Sequence, residues 1–246
     1  MHVGAGRRPR RGRRHSGRAI VPGSVTRRLA PTVVVGTAWL AGSVPFAQLM
    51  ARRCAHVDLR TVGTGTVSGS ALYHLSGVGP LVGAGVLDVL KGAVGPLLAG
   101  PDRPALQAMS ASAAVVGHDW SPFLGGAGGR GISVALGALT ATEPAAAALL
   151  LGALALGRLA GDNAGLGTLA GGAAVAVVLP RRRGRDGTLL ALGLLAPMAV
   201  KRLAGNRRAD DATTYLWRAL FDRDTRDEVV PALPDPATVP AELAVR

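Results

Sequence analysis

Apolar residues in this chain gather in long runs, and charge collects between the runs. The first run covers about 31–51, and others follow at about 75–99, 105–117, 131–143, 145–160, 165–180 and 187–203, each bounded by glycine, proline or charge. A water-soluble domain interleaves charge with apolar residues at the helix or strand period, so runs of this kind are expected to be helices that meet lipid. The pattern predicts an all-α fold, a polytopic membrane helix bundle of about seven transmembrane helices. Several runs fall short of the roughly 20 residues that a span needs, so some are expected to be tilted, half-inserted or buried in the bundle.

The flanks read differently. Residues 1–30 form a Gly/Pro/Arg tail with too little apolar content to fold alone, and are expected to be a disordered basic N-terminal tail. This tail resembles the n-region of a signal peptide. The apolar run after it is longer than a usual h-region and lacks a small-residue cleavage site, so it is taken as a retained first span. The bundle then occupies 31–206, and 207–246 is a polar C-terminal tail that reads as a soluble appendage with a short amphipathic helix over 215–221. Within the bundle, Gly83, Gly85, Gly137, Gly152, Gly167 and Gly171 are expected to let helix backbones approach closely.

Composition sharpens this picture. Hydrophobic residues make up 48% of the 246 but aromatics only 3%, so the apolar content is Ala, Leu and Val with a heavy load of Gly. The formal charge of +13 raises the question of nucleic acid. The arginines, however, sit at 7–28, 181–185 and near the end of the last run, with no aromatic residues interleaved for base stacking, so the expected partner is the lipid bilayer and not nucleic acid. Cys54 is the only cysteine, which excludes an internal disulfide framework and a cysteine metal cluster.

Three segments carry candidate chemistry. Asp58, Arg60, Gly63, Thr64, Gly65, Thr66, Ser68 and Ser70 lie in one loop between runs, where alternating glycines and hydroxyls expose amide and hydroxyl donors able to wrap a phosphate. An ordinary Gly/Ser/Thr turn is the alternative. The second segment, from Gly117 and His118 to Gly128, Gly129, Arg130 and Gly131, ends on a helix start, where unpaired first-turn amides and the helix dipole favour an anion. It lacks the Lys-Ser/Thr ending of a Walker A loop, and His118 taken alone equally fits an interfacial hydrogen bond. Third, Asp88 and Lys91 interrupt an apolar run three residues apart, on one helical face, so they can pair; an ionisable residue there is costly in lipid and should face the bundle interior.

Read in order, Gly42-Ser43-Val44-Pro45, Val57 to Arg60 with Gly63-Thr64-Gly65, Asp88 to Gly92, Gly117-His118 and Gly128-Gly129-Arg130-Gly131 resemble the motifs of the PlsY-type acyl-phosphate:glycerol-3-phosphate acyltransferase family. The resemblance covers about residues 38–144. It implies a seven-helix bacterial plasma-membrane protein with a cytoplasmic active face. It also implies acyl phosphate and glycerol 3-phosphate as substrates, lysophosphatidic acid as product, and no metal or organic cofactor. On the family pattern Arg60, Lys91 and Arg130 hold phosphates, and the amides and hydroxyls from Thr64 to Ser70 bind phosphate oxygens. His118, Thr64 and Lys91 stand nearest the chemistry, with Asp58 and Asp88 as ionic supports.

The chain departs from the family pattern at definite positions. Thr64, Thr66, Ser70 and Ala71 stand where the family has Ser, Asn, Thr and Asn, and Arg130 stands for lysine, keeping charge but changing its shape. Gly165 occupies the place of an expected serine, and the His-Arg-x-Asn signature near the end of the last run is not recognisable. An active acyltransferase and a non-catalytic relative that binds phosphorylated lipid precursors or a partner membrane enzyme are therefore both expected readings. Topology gives two expectations as well: the family implies an outside N-terminus, whereas arginines at 7–28 and 181–185 favour the cytoplasm by the positive-inside bias.

Overall fold

The computed structural model describes residues 29–62, 64–160, 164–209 and 211–221. The basic tail over 1–28, Gly63, residues 161–163, Asp210 and the Pro-rich end over 222–246 lie outside these residues. Every described regular element is helical, and each apolar run of the sequence becomes helix.

The first run is broken. Helix α1, Pro31–Ser43, stops where Pro45 removes a backbone donor and disfavours helical geometry at Val44, and α2, Phe46–Ala55, starts afresh beyond it. Helix α2 buries Ala47, Gln48 and Ala51 and exposes Leu49, Arg52 and Arg53. A short helix that the hydropathy pattern does not separate, α3, Gly69–Ser76, follows the first loop; Ser68 Oγ caps it by accepting the Ala71 amide at 3.3 Å. The remaining helices are α4, Val78–Ala99, α5, Pro104–Asp119, α6, Ile132–Thr142, α7, Pro144–Leu159, α8, Ala164–Ala204, and α9, Ala212–Phe221.

Helix α8 is a hairpin. Gly184, at φ 56° and ψ −131°, lies outside helical geometry, in a region that favours glycine. The arms over 164–183 and 185–204 fold against each other, so that Gly172 faces Leu195 and Gly187 abuts the Leu179 carbonyl. These arms correspond to the last two predicted runs.

Hydrogen bonds fix which ends of the helices lie together. Near the hairpin tip Arg182 Nε meets Glu143 Oε1 at 2.8 Å, and Arg183 donates to the Thr142 carbonyl and Gln107 Oε1, both at 3.4 Å. Arg103, preceding α5, donates to the Leu29 carbonyl at 3.0 Å, so Leu29 and the start of α1 lie at the end where α4 turns into α5. The loops over 56–68, 120–131 and 205–208 gather at the opposite end. Arginines 181–185 thus lie away from the candidate loops, which carry arginines of their own; cationic charge at both ends leaves the positive-inside bias without a clear preference.

Among the described residues, Pro31–Ala55, Val78–Ala99 and Gly165–Ala204 contain segments long and apolar enough to cross a membrane. Leu90, Leu97, Leu156, Leu159, Leu192 and Val200 project outward, which suits a surface bathed in hydrocarbon. The chain is an all-α polytopic membrane bundle.

Two helix pairs approach so closely that only hydrogen fits between their backbones. In α1 against α5, a Cβ at Gly42 would strike the Ala114 carbonyl and one at Gly117 the Trp39 carbonyl; in α4 against α6, Gly92 and Gly137 meet the Val134 and Val89 carbonyls in the same reciprocal way. Of the glycines expected at such crossings, Gly137, Gly167 and Gly171 are there. Gly83 meets only the tip of the Met50 side chain, and Gly85 and Gly152 face open space, because hydropathy cannot tell which side of a glycine meets lipid. Gly137→Leu is expected to destabilise the bundle by about 3 kcal/mol or more through overpacking, whereas Gly85→Leu should leave it near wild type; thermal unfolding in detergent compares the two.

Candidate functional site

The first loop is built around Asp58. Its Oδ1 accepts the Arg60 amide at 3.0 Å, its Oδ2 takes Arg60 Nη2 at 2.6 Å and Arg52 Nη2 at 3.0 Å, and so it starts the short turn Leu59–Thr61. The Arg60 side chain, donating directly, holds the Asp58 carboxyl well below the usual carboxylate range; partial burial opposes this, and the Arg60 amide and Arg52 add to it. Arg60 also reaches the Leu124 carbonyl at 3.4 Å, which links the first loop to the second. Further along, Gly65 turns the chain at φ 70°, and Thr64 Oγ1 and Thr66 Oγ1 bond each other at 2.8 Å.

The second loop is folded over the end of α5. The Gly129 amide donates to the His118 carbonyl at 3.1 Å, and a Cβ on Gly128 or Gly129 would collide with the His118–Asp119 backbone or with His118 Nε2. Glycine is required there by space. Gly131, at φ 70°, leads into α6 and brings Arg130 to the start of that helix.

The two loops are joined directly and through a third segment. The Val67 amide donates to the Gly128 carbonyl at 3.0 Å. Asn206, just past α8, inserts its side-chain amide between them: Nδ2 donates to the Gly65 and Gly128 carbonyls, both at 2.8 Å, and Oδ1 accepts the Gly128 amide at 3.3 Å.

Beside this junction lies a cleft of about 360 Å³ with walls of two kinds. Ser68, Ser70, His118, Arg130, Ser133 and Arg158 supply hydroxyls, an imidazole and two guanidinium groups, with the Asp88 carboxylate among them; Leu81, Ile132, Leu151 and Leu154 supply an aliphatic side. Arg130 Nη2 lies 3.4 Å from Thr66 Oγ1, and the Arg158 guanidinium stacks 4.7 Å from the Tyr73 ring centre. Such a cleft can hold an anionic head against an apolar chain.

The expected site residues divide into three groups. Ser68, Ser70, His118, Arg130 and Asp88 line the cleft. Gly65, Thr66, Gly128, Gly129 and Gly131 are buried in the loop junction behind it, with Thr64 half-buried there. Arg60, Asp58 and Lys91 do not line it: Arg60 is turned to Asp58, and Lys91 is buried between Asp88 at 2.8 Å, the Val44 carbonyl at 2.5 Å and the Phe46 ring at 5.4 Å. The pairing of Asp88 with Lys91 agrees with their spacing. Gly63 lies outside the described residues, and Gly165 starts α8 in a buried position.

Sequence reasoning missed Arg158, Ser133 and Asn206. An arginine near the end of an apolar run is as costly in lipid as Asp88, so Arg158 carried a usable signal. Asn206 carried none, because its partners are remote in sequence. Also unforeseen is Asp119, fully buried beneath the second loop, where Lys201, Lys91 and Arg130 are the charges that act on it. Among the described residues, the groups of His, Cys, Asp and Glu include none arranged to hold a metal ion.

Asn206→Ala leaves the Gly65 carbonyl without its donor and the Gly128 amide without its acceptor, so it should cost about 2–4 kcal/mol and speed hydrogen exchange at 64–67 and 127–130 together. Because the Asp58 carboxyl is shifted down, its contribution to the loop is present above the ordinary carboxylate range and is lost as pH falls below about 4. Exchange protection of the 60–62 amides should therefore drop on acidification, and Asp58→Asn should show the low protection at every pH.

The profile of the family described as glycerol-3-phosphate acyltransferase matches residues 32–207. A glycerol-3-phosphate acyltransferase of Halalkalibacterium halodurans is 34% identical over 131 residues, which is 52% of this chain and 63% of that one. One from Myxococcus xanthus is 37% identical over 144 residues, covering 55% of this chain and 72% of that one. The chain thus spans a little under two thirds of the first relative's length. Among solved structures, the crystal structure of PlsY, an integral membrane glycerol 3-phosphate acyltransferase, in its glycerol 3-phosphate form superposes with a TM-score of 0.65 at 26% identity, over 70% of this chain and 88% of that one. From its helices to its glycine loops, the chain belongs to the glycerol-3-phosphate acyltransferase family.

Proposed function

We propose that this protein transfers an acyl chain from acyl phosphate to the 1-hydroxyl of glycerol 3-phosphate, giving lysophosphatidic acid and inorganic phosphate. The observation that carries this reading is the two-sided cleft: serine hydroxyls, His118, Arg130 and Arg158 face leucines and an isoleucine, matching a reaction between a phosphate-bearing polar acceptor and an apolar acyl donor. In the step itself the acceptor oxygen attacks the acyl carbonyl carbon, the bond from that carbon to the phosphate oxygen breaks, and phosphate leaves with the electron pair. The hydroxyl proton passes to a substrate phosphate oxygen, with His118 placed to share it.

Acyl phosphate is already an activated mixed anhydride, so the protein's task is to position two anions and offset their charge. Arg130 and Arg158 supply cationic charge on the cleft wall, while Ser68, Ser70 and Ser133 supply neutral donors. Thr64, Gly65, Thr66, Gly128, Gly129 and Gly131 shape the loops. Arg60 and Lys91 act from behind the wall, through Asp58 and through Val44. Metal and organic cofactors have no place in this scheme. The assignment is completed by seven membrane passes, formed by α1, α4, α5, α6, α7 and the two arms of α8, in a bacterial plasma membrane with the loop end cytoplasmic.

A binding-only relative is the second reading, favoured by Gly165, which brings no hydroxyl to the start of α8. Turnover separates the two. Purified protein in detergent should form lysophosphatidic acid and phosphate in equal amounts, and Arg130→Ala should lower kcat/KM by about 100-fold or more. Calorimetric binding of glycerol 3-phosphate without turnover, beside an active family enzyme, would support the second reading; absence of both overturns the two together.

A further inference from the structure

Helix α9 lies beyond residues 32–207, the part matched to the family, and its buried positions are polar while three of its large apolar side chains are exposed, with Trp217 partly buried. The side turned to the protein holds Thr214 and Arg218, both buried, while the side turned out carries Tyr215, Leu216 and Leu220 at 48%, 63% and 41% exposure. A helix packed on a protein in water buries its leucines and shows its charge.

The inversion is held in place by directed bonds. Arg218 caps the end of α8: Nη1 donates to the Leu203 and Ala204 carbonyls at 3.2 and 2.8 Å, and Nη2 donates to the Arg207 carbonyl at 3.0 Å. In return Arg202 Nε donates to the Ala219 carbonyl at 2.9 Å, near the end of α9. Between them Gly205 turns the chain at φ 63°, so close to the guanidinium that a Cβ would lie 2.7 Å from Arg218 Cζ. Rotating α9 to hide its leucines would break this set.

The surroundings name what covers the outer face. Val200 and Leu203, in the last turns of the span that α9 follows, are themselves exposed at 57% and 44%. The turn between the two helices presents Arg207 and Arg208, both exposed, where lipid phosphates would lie. We propose that α9 is an interfacial helix, lying in the boundary of the bilayer that surrounds the bundle, with Tyr215, Leu216 and Leu220 against lipid acyl chains. A sequence reading of the C-terminal region as a soluble appendage follows from its overall polarity; the arrangement of the two faces points to lipid.

Nitroxide labels test this without reference to activity, so the outcome is independent of the acyltransferase reading. In a Cys54→Ser background, single cysteines at 216 and 220, with 203 as a lipid-facing reference and 211 as an exposed polar one, would be labelled in the full chain. The protein would be placed in vesicles of phosphatidylcholine and phosphatidylglycerol. Labels at 216 and 220 are expected to collide with oxygen in preference to a water-soluble nickel chelate, as at 203, at a depth of about 5–10 Å below the boundary. Preference for the nickel chelate at both positions, as at 211, would overturn the proposal. Spin–spin broadening at 216 and 220 would also overturn it, by showing that a second copy covers the face.

Discussion

A helix broken within a bundle like this one exposes backbone carbonyls that lipid cannot satisfy, and donors must come from the protein itself. At the end of α1 the break before Pro45 frees the carbonyls of Ser43 and Val44. Ser121, in the second loop, donates its hydroxyl to the first at 2.6 Å, and Lys91, from α4, donates to the second at 2.5 Å. One discontinuity therefore fastens together the first span, the central ionised helix and the glycine-rich loop. Asp88 completes the arrangement by balancing the Lys91 charge and lends its other side to the cleft. The sequence Ser-Val-Pro is a structural instruction, and the placement of α2 and of the first loop follows from it.

The cleft shows how such a bundle joins two solvents. Its polar wall belongs to loops, helix ends and Asp88 within α4, and its aliphatic wall to α4, α6 and α7. A loop alone could hold phosphate, and a helix face alone could hold an acyl chain. Bringing them within one small volume requires the close helix crossings of α1 with α5 and of α4 with α6, where glycines remove the side chains that would keep the backbones apart.

Much of the fold was legible because hydropathy marks where helices form: every predicted run folds into helix, the first interrupted at Val44 and Pro45, and the last two forming the arms around Gly184. The pairing of Asp88 with Lys91 was legible for a local reason, since residues three apart share a helix face. What was hidden depends on tertiary neighbours. Gly85 and Gly42 look alike in the chain, yet only Gly42 faces a backbone. Arg60 looks like a phosphate fork, but Asp58 two residues earlier provides a nearer partner. Arg158 reaches the cleft only because α7 ends beside Tyr73. The candidate loops were recognisable from glycine and hydroxyl content, whereas the residue that joins them was not.

That residue, Asn206, has a consequence for how the protein is made. Its amide bridges Gly65 and Gly128, which lie 141 and 78 positions earlier. During synthesis both loops leave the ribosome well before their clasp does, and the clasp becomes available only when the last arm of α8 has been delivered. A nascent or truncated chain holds the glycine loops only by their direct links, the Val67 amide on the Gly128 carbonyl and Arg60 on the Leu124 carbonyl. The order of translation itself thus withholds the last clasp on the loops until the final arm of the bundle is in place.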